Sequence, residues 1–180
     1  MRMTLRKTLF FCLLTIVAVG AIARASATLR IVPIVRDDSV VVSAELADGY
    51  TDEVRDAIAS GLRTSFVYDV ELRMDVPAWV DRTIAAVTVT ISDHYDSLTR
   101  LHNLSRMVDG RIQGAIVTGD EAVVRQWLMS IKALPLCKTT ALDPTREYYV
   151  RISARVRPPG ASLLGWTNAV TSQAKFTFIP

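Results

Sequence analysis

The stretch from Leu62 to Val76 leaves the chain little choice of conformation. Leu62, Thr64, Phe66, Tyr68, Val70, Leu72, Met74 and Val76 alternate with Arg63, Ser65, Val67, Asp69, Glu71, Arg73 and Asp75, and only Thr64 and Val67 break the apolar–polar order. On a helix these two sets would be scattered around the axis. On a strand, successive side chains point to opposite faces and the sets separate cleanly. A strand with one wet face belongs to an antiparallel sheet, because parallel sheets are covered on both sides. Pro77-Ala78-Trp79 ends the run.

Further strands follow the same rule. Residues 29–36 and 39–46 flank Asp37-Asp38, a hairpin turn signal, with Val40, Val42, Ala44 and Leu46 on one face. Pro33 makes the first of these an edge or a bulged strand, because proline lacks the ladder N–H. Residues 83–92 place Ala85, Val87, Val89 and Ile91 together. A polar stretch, Asp93 to Ser97, then leads to a strand over 98–105, the Asp109-Gly110 turn and a short return over 111–117. Residues 147–157 set Tyr148, Val150, Ile152, Ala154 and Val156 against Tyr149, Arg151, Ser153, Arg155 and Arg157. After Pro158-Pro159-Gly160, a terminal strand carries Ala174, Phe176 and Phe178 on one face.

Two helices interrupt the strands. Thr51–Ser60 has Thr51 as cap, Asp52 and Glu53 at its positive end, a Val54/Ala57/Ile58 stripe and Gly61 as stop. Thr118–Leu134 has Thr118 and Glu121 as a capping box, a stripe of Val123, Val124, Trp127, Leu128, Ile131 and Leu134, and Pro135 as stop. Half of the 180 residues are hydrophobic, enough for one core and one domain. The expected fold is α+β: an antiparallel sheet of six to eight strands with two helices on one face. The alternative is a β-sandwich with peripheral helices.

The first 27 residues read as an export signal rather than as part of this fold. Arg2, Arg6 and Lys7 precede an uncharged run from Thr8 to Ile22, and Ala23-Arg24-Ala25 and Ala25-Ser26-Ala27 both fit small-x-small cleavage sites. The run is 15 residues long, short of the roughly 20 that span a bilayer. Residues 28–180 are then one exported, periplasmic domain. The alternative is an uncleaved segment anchoring the chain in the inner membrane. The net charge of +3 and pI near 9.1 would raise nucleic acid as a partner. Four of the 21 basic residues lie in this segment, however, which leaves 17 against 18 acidic ones and removes that reading.

Three segments together carry a family resemblance: Asp52–Leu72 (DEVRDAIASGLRTSFVYDVEL), Tyr95–Leu104 (YDSLTRLHNL) and Trp127–Leu136 (WLMSIKALPL). In this order, behind a signal peptide, they resemble the bacterial family known as domain of unknown function 4390. The resemblance implies an exported envelope domain. It brings no activity, cofactor or catalytic residue with it.

The residues themselves offer little chemistry. Beyond the signal only Cys137 remains, so no intramolecular disulfide forms, and the thiol is either buried and inert or a reactive or intermolecular one. Asp93, His94, Asp96 and His102, with Ser92, Tyr95 and Ser97 nearby, hold the residue types of a hydrolytic or metal site. Neighbours along a strand point apart, and a polar turn explains them better. Asp69, Glu71 and Asp75 read as partners in a cross-strand charge ladder with the arginines, not as a glycosidase pair. Trp79 and Trp127 read as packing residues. No nucleophile elbow, zinc-helix or phosphate-loop motif occurs, and no cofactor or metal site is assigned.

Arg151, Arg155 and Arg157, followed by Leu163, Leu164 and Trp166, form one candidate contact with an anionic membrane surface or a partner. The expected function is non-enzymatic binding of another envelope protein through a sheet edge or face. The alternatives are a lipid or small apolar ligand carrier and a hydrolase using His94. Intact-mass analysis of the chain recovered from the envelope should show a start at Ser26 or Thr28. A chain still beginning at Met1 would replace cleavage by anchoring.

Overall fold

The alternating run forms β3 (Thr64–Met74), the interior strand that organises the larger sheet. The computed structural model describes residues 27–157 and 169–178. Thr64, Phe66, Tyr68, Val70 and Leu72 are buried on one face of β3, as the alternation requires. Leu62 stands outside the strand and is exposed. On one side β3 pairs antiparallel with β4 (Arg82–Asp96), with Phe66 opposite Ile91 and Val70 opposite Val87. On the other it pairs with β8 (Tyr148–Arg157), with Tyr68 opposite Ala154 and Leu72 opposite Val150. Adding β5 (Leu101–Val108), β6 (Arg111–Thr118) and β9 (Val170–Phe176) completes a six-stranded sheet in the order β6-β5-β4-β3-β8-β9.

Three other strands form a second sheet, ordered β1-β2-β7: β1 (Thr28–Arg36), β2 (Ser39–Ala47) and β7 (Ser130–Lys138). The β1–β2 hairpin turns at Asp37 and Asp38, both with positive φ, and Asp109-Gly110 turns β5 into β6 in the same way. These are the conformations that two-residue hairpins demand. Pro33 sits on an edge strand, where a missing N–H costs no ladder bond. Both sheets are antiparallel, so the domain is α+β as expected, with nine strands among the described residues shared between two sheets rather than held in one.

Both helices pack against the large sheet, and the second also reaches β2 and β7 of the small one. α1 (Asp52–Ala59) is capped by Thr51, whose hydroxyl accepts from Val54 N, and it stops at Gly61, where φ is +80°. α2 (Glu121–Met129) buries Val124, Leu128 and Met129. Its cap is Asp120, which accepts from Ala122 N, while Thr118 accepts from the amide of Asp120. The expected Thr118–Glu121 box is thereby replaced. The helix also ends earlier than its apolar spacing predicts, and Pro135 lies inside β7. Ile131 and Leu134 face Ala44 and Val42 on β2, so three residues of β7 span two of β2. Ala133 takes up the extra residue with φ +50°, and its N–H donates to Ser43 Oγ. A bulge therefore spaces two buried strand residues as a helix would.

Arg106, on the inner face of β5, locks the junction between α2 and β7. Its guanidinium lies 4.6 Å from the centre of the Trp127 ring and donates to Trp127 O and Ser130 O at 3.4 and 3.0 Å. Cations are favourable at a helix C-terminus, where carbonyls lack intrahelical partners. The polar stretch after Ile91 is not a turn. β4 continues to Asp96, and the reversal falls on 97–100 with Leu98 exposed at its tip.

Tyr68 ties β3 to α2. It is buried, and its hydroxyl donates to Leu128 O at 2.8 Å. Tyr68→Phe leaves that carbonyl buried without its donor and should cost about 1–3 kcal/mol in urea unfolding. An unchanged midpoint would show that the bond contributes nothing.

Candidate functional site

The register of β4 and β5 brings together polar residues that the sequence holds nine positions apart. Asp93 lies opposite Thr64 on β3 and Leu104 on β5, all three buried. Tyr95 lies opposite His102, and their ring centres are 4.7 Å apart. His102 Nδ1 is 2.8 Å from Asp93 Oδ2. Asp93 Oδ1 is buried with no hydrogen-bond partner among the described residues. With the carboxyl ionised, Nδ1–H donates and Nε2 of the neutral ring is left as an acceptor. His102 lines a cleft of about 490 Å³ together with Tyr50, Arg55, Tyr95, Arg100 and Glu121.

Electrostatics sets the state of this pair. Burial pushes the Asp93 carboxyl above its ordinary value, and the His102 hydrogen bond opposes that without cancelling it. Burial, then Glu121, push the Tyr50 phenol up, so it stays a neutral donor. The arrangement can hold a histidine in one tautomer beside two tyrosines. Among the described residues, no serine, threonine or cysteine lines the cleft.

The four residues of the metal reading are dispersed. Asp93 and His102 face inward, while His94 is exposed. Asp96 caps the reversal by accepting from Leu98 N and Thr99 N, and these bonds hold its carboxyl below the usual range. His94 and His102 belong to two adjacent strands, not to one continuous strand face. No group of three or more potential ligands could hold a metal among the described residues. The hydrolase reading also named His94, whereas the histidine with a buried carboxylate is His102.

Two arginines of β8, Arg151 and Arg155, are engaged across the sheet. Arg151 lies directly opposite Glu71 and donates to it at 3.1 and 2.8 Å, and Arg155 pairs with Asp69. These are the cross-strand charge pairs that the alternation implies, each worth about 0.2–1 kcal/mol. Arg157 closes β8 opposite Ser65. Leu163, Leu164 and Trp166 lie outside the described residues, as do residues 1–26. Cys137 is free and half-buried on β7, and burial pushes its thiol up, away from the reactive thiolate.

Sequence reasoning assigned Trp79 to packing, but 81% of its surface is exposed. It stands with Val80, 76% exposed, on the loop between β3 and β4. It also missed the bareness of β6. Among the four edge strands, β1 carries Pro33, β7 carries Lys132, Pro135 and Lys138, and β9 carries Lys175. Such residues discourage further pairing. β6 has none of them after Arg111, and it exposes Ile112 and Val117 at 72% and 62%. A bulge at its start gives way to regular pairing from Gly114 to Thr118.

No helix among the described residues is long and apolar enough to cross a membrane. The chain belongs to the family described as Domain of unknown function (DUF4390), whose sequence model matches residues 25–161. No curated protein and no solved structure matches.

Asp93→Ala should destabilise the domain by about 1–3 kcal/mol, because it strands a half-buried imidazole N–H. Asp93→Asn keeps an acceptor and should cost less. The ordinary aspartate value is about 3.9 and the folded carboxyl lies above it, so the folded state holds this proton to higher pH than the unfolded chain. The wild type should therefore lose stability relative to Asp93→Asn as pH rises through that window. Urea titrations on both sides of the window check this, and the opposite trend would show that the His102 bond outweighs burial.

Proposed function

We propose that this chain is an exported, non-enzymatic domain of the cell envelope that binds another protein by accepting one of its strands on β6. The observation that carries the reading is the β6 edge itself. It ends the six-stranded sheet without a guarding lysine or proline, and it bears Ile112 and Val117 in water. An added strand would satisfy the free backbone groups of β6 and cover both side chains. Export is supported by the basic start, the short apolar run and the small-residue sites of residues 1–27.

The carrier reading has less support. It needs an apolar cavity with few polar groups. Two clefts of about 430 and 490 Å³ are instead walled partly by Glu45, Arg125 and Lys132, and by Arg55, Arg100 and Glu121. Contact with an anionic membrane through Arg151 and Arg155 is weakened by their carboxylate partners.

A photo-crosslinking residue at Gln113, on the exposed part of β6, tests the proposal in intact cells. One discrete protein adduct should form. Val117→Lys or Ala115→Pro should reduce it about 10-fold or more, since lysine and proline block edge pairing. Thr171→Lys on β9 should leave it unchanged. No adduct, or one indifferent to the β6 substitutions, would overturn the reading.

A further inference from the structure

The loop between β3 and β4 is held by more polar bonds than its seven residues need in order to reverse the chain. Asp81 is the hub. Its Oδ2 accepts from the Tyr149 hydroxyl at 2.5 Å, its Oδ1 from Val76 N at 3.4 Å, and its carbonyl from Arg73 Nη2 at 3.0 Å. Trp79 N closes a turn onto Val76 O at 3.0 Å, and Asp75 N donates to Glu147 O at 2.9 Å. Ala78 takes φ +61° inside that turn, a conformation that costs a non-glycine residue energy unless its surroundings impose it.

This network also accounts for Tyr149. The alternation of β8 points it outward, yet it is buried, because the loop folds over it. The product of this bonding is two apolar side chains held in water, Trp79 and Val80. An exposed indole on a fixed backbone gives up little further entropy when it docks, and tryptophan is prominent among the residues that dominate protein interfaces.

We propose that Trp79, with Val80 beside it, is a preorganised anchor that inserts into an apolar pocket of a partner protein. Charge favours a protein over an anionic lipid surface. Acids, Asp75 and Asp81, stand at both ends of the loop, Arg82 follows at the exposed start of β4, and Lys175 is shared between Asp75 and Glu147 at 3.4 Å each, so cations are not in surplus there. A membrane contact would want a surplus of cations around the tryptophan. Arg73 is turned to Glu71 and to the loop carbonyl. This surface lies at the β3–β4 connection, three strands in from β6, and does not depend on the β6 reading.

The test uses the full chain in its own envelope, with a photo-crosslinking residue at Val80. A discrete protein adduct should form, and Trp79→Ala should reduce it about 10-fold or more. Tyr149→Phe should reduce it by about 2- to 10-fold, by releasing the loop. Trp79→Ala should leave the thermal midpoint unchanged, because the side chain is exposed, and should leave the Gln113 adduct on β6 unchanged. Should Tyr149→Phe unfold the chain, Val76→Pro removes one loop bond without touching β8. Vesicles of phosphatidylethanolamine and phosphatidylglycerol form a parallel arm, read as the blue shift of indole fluorescence that Trp79→Phe removes. No adduct at Val80 overturns the proposal, as does an adduct indifferent to Trp79→Ala. A vesicle-dependent shift without an adduct replaces the protein partner by a membrane. An adduct indifferent to loop release refutes the preorganised anchor.

Discussion

Everything in this fold hangs on the pairing register of β3. It is an interior strand paired on one side with β4, the next strand in the chain, and on the other with β8, which comes from far along the sequence. A slip of one residue would carry Asp69, Glu71 and Arg73 into the core and put Phe66, Tyr68 and Val70 in water, because side chains alternate with a period of two. Burial fixes the register on one face and charge repeats it on the other, where Glu71 meets Arg151 directly across the ladder. The agreement of the two faces matters more than the modest worth of each ion pair. α2 is then positioned from this sheet, by the Tyr68 hydroxyl and by Arg106 on β5.

Local periodicity explains which parts of the architecture were legible. The strands with clean alternation and the two Asp-led hairpins are set by neighbours in sequence, so they can be read from it. The junction of α2 and β7 cannot. Leu128, Ile131 and Leu134 are spaced as on a helix, but only Leu128 lies on one, and the left-handed backbone of Ala133 creates the spacing of Ile131 and Leu134 within a strand. Asp93 misled for a related reason. A carboxylate in a polar stretch suggests a turn, and its burial depends on His102 arriving from the next strand. The division into two sheets is also invisible in the sequence, because a strand's pattern states which face is dry without naming its partner.

The candidate site was legible only in its ingredients. The residue types around Asp93 and His102 could be named, while their separation into an inward pair, an outward His94 and a turn-capping Asp96 follows from the β4–β5 hairpin. Trp79 was assigned to packing because large aromatic side chains are usually covered. What holds it outside is a network centred on Asp81, five to eight residues from its loop partners and 68 from Tyr149. No short-range pattern encodes that span.

Charge and exposure together decide where such a domain can recognise anything. Once residues 1–27 are set aside, the acidic and basic residues nearly balance, and on the wet face of the large sheet several meet one another: Arg151 with Glu71, Arg155 with Asp69, Lys175 with Asp75. A surface whose cations are already matched attracts polyanions weakly, and its pairs are screened further by salt. Apolar side chains left in water mark the bare β6 edge and the braced Trp79 loop. Neither contributes to the core, so neither is explained by folding. An edge left without guards invites strand pairing, and a costly backbone conformation held by a polar network persists where the rest of the structure imposes it. The interior of this domain is thus self-sufficient, and the two proposed contacts fall where apolar surface remains in water beside a bare edge or a braced loop.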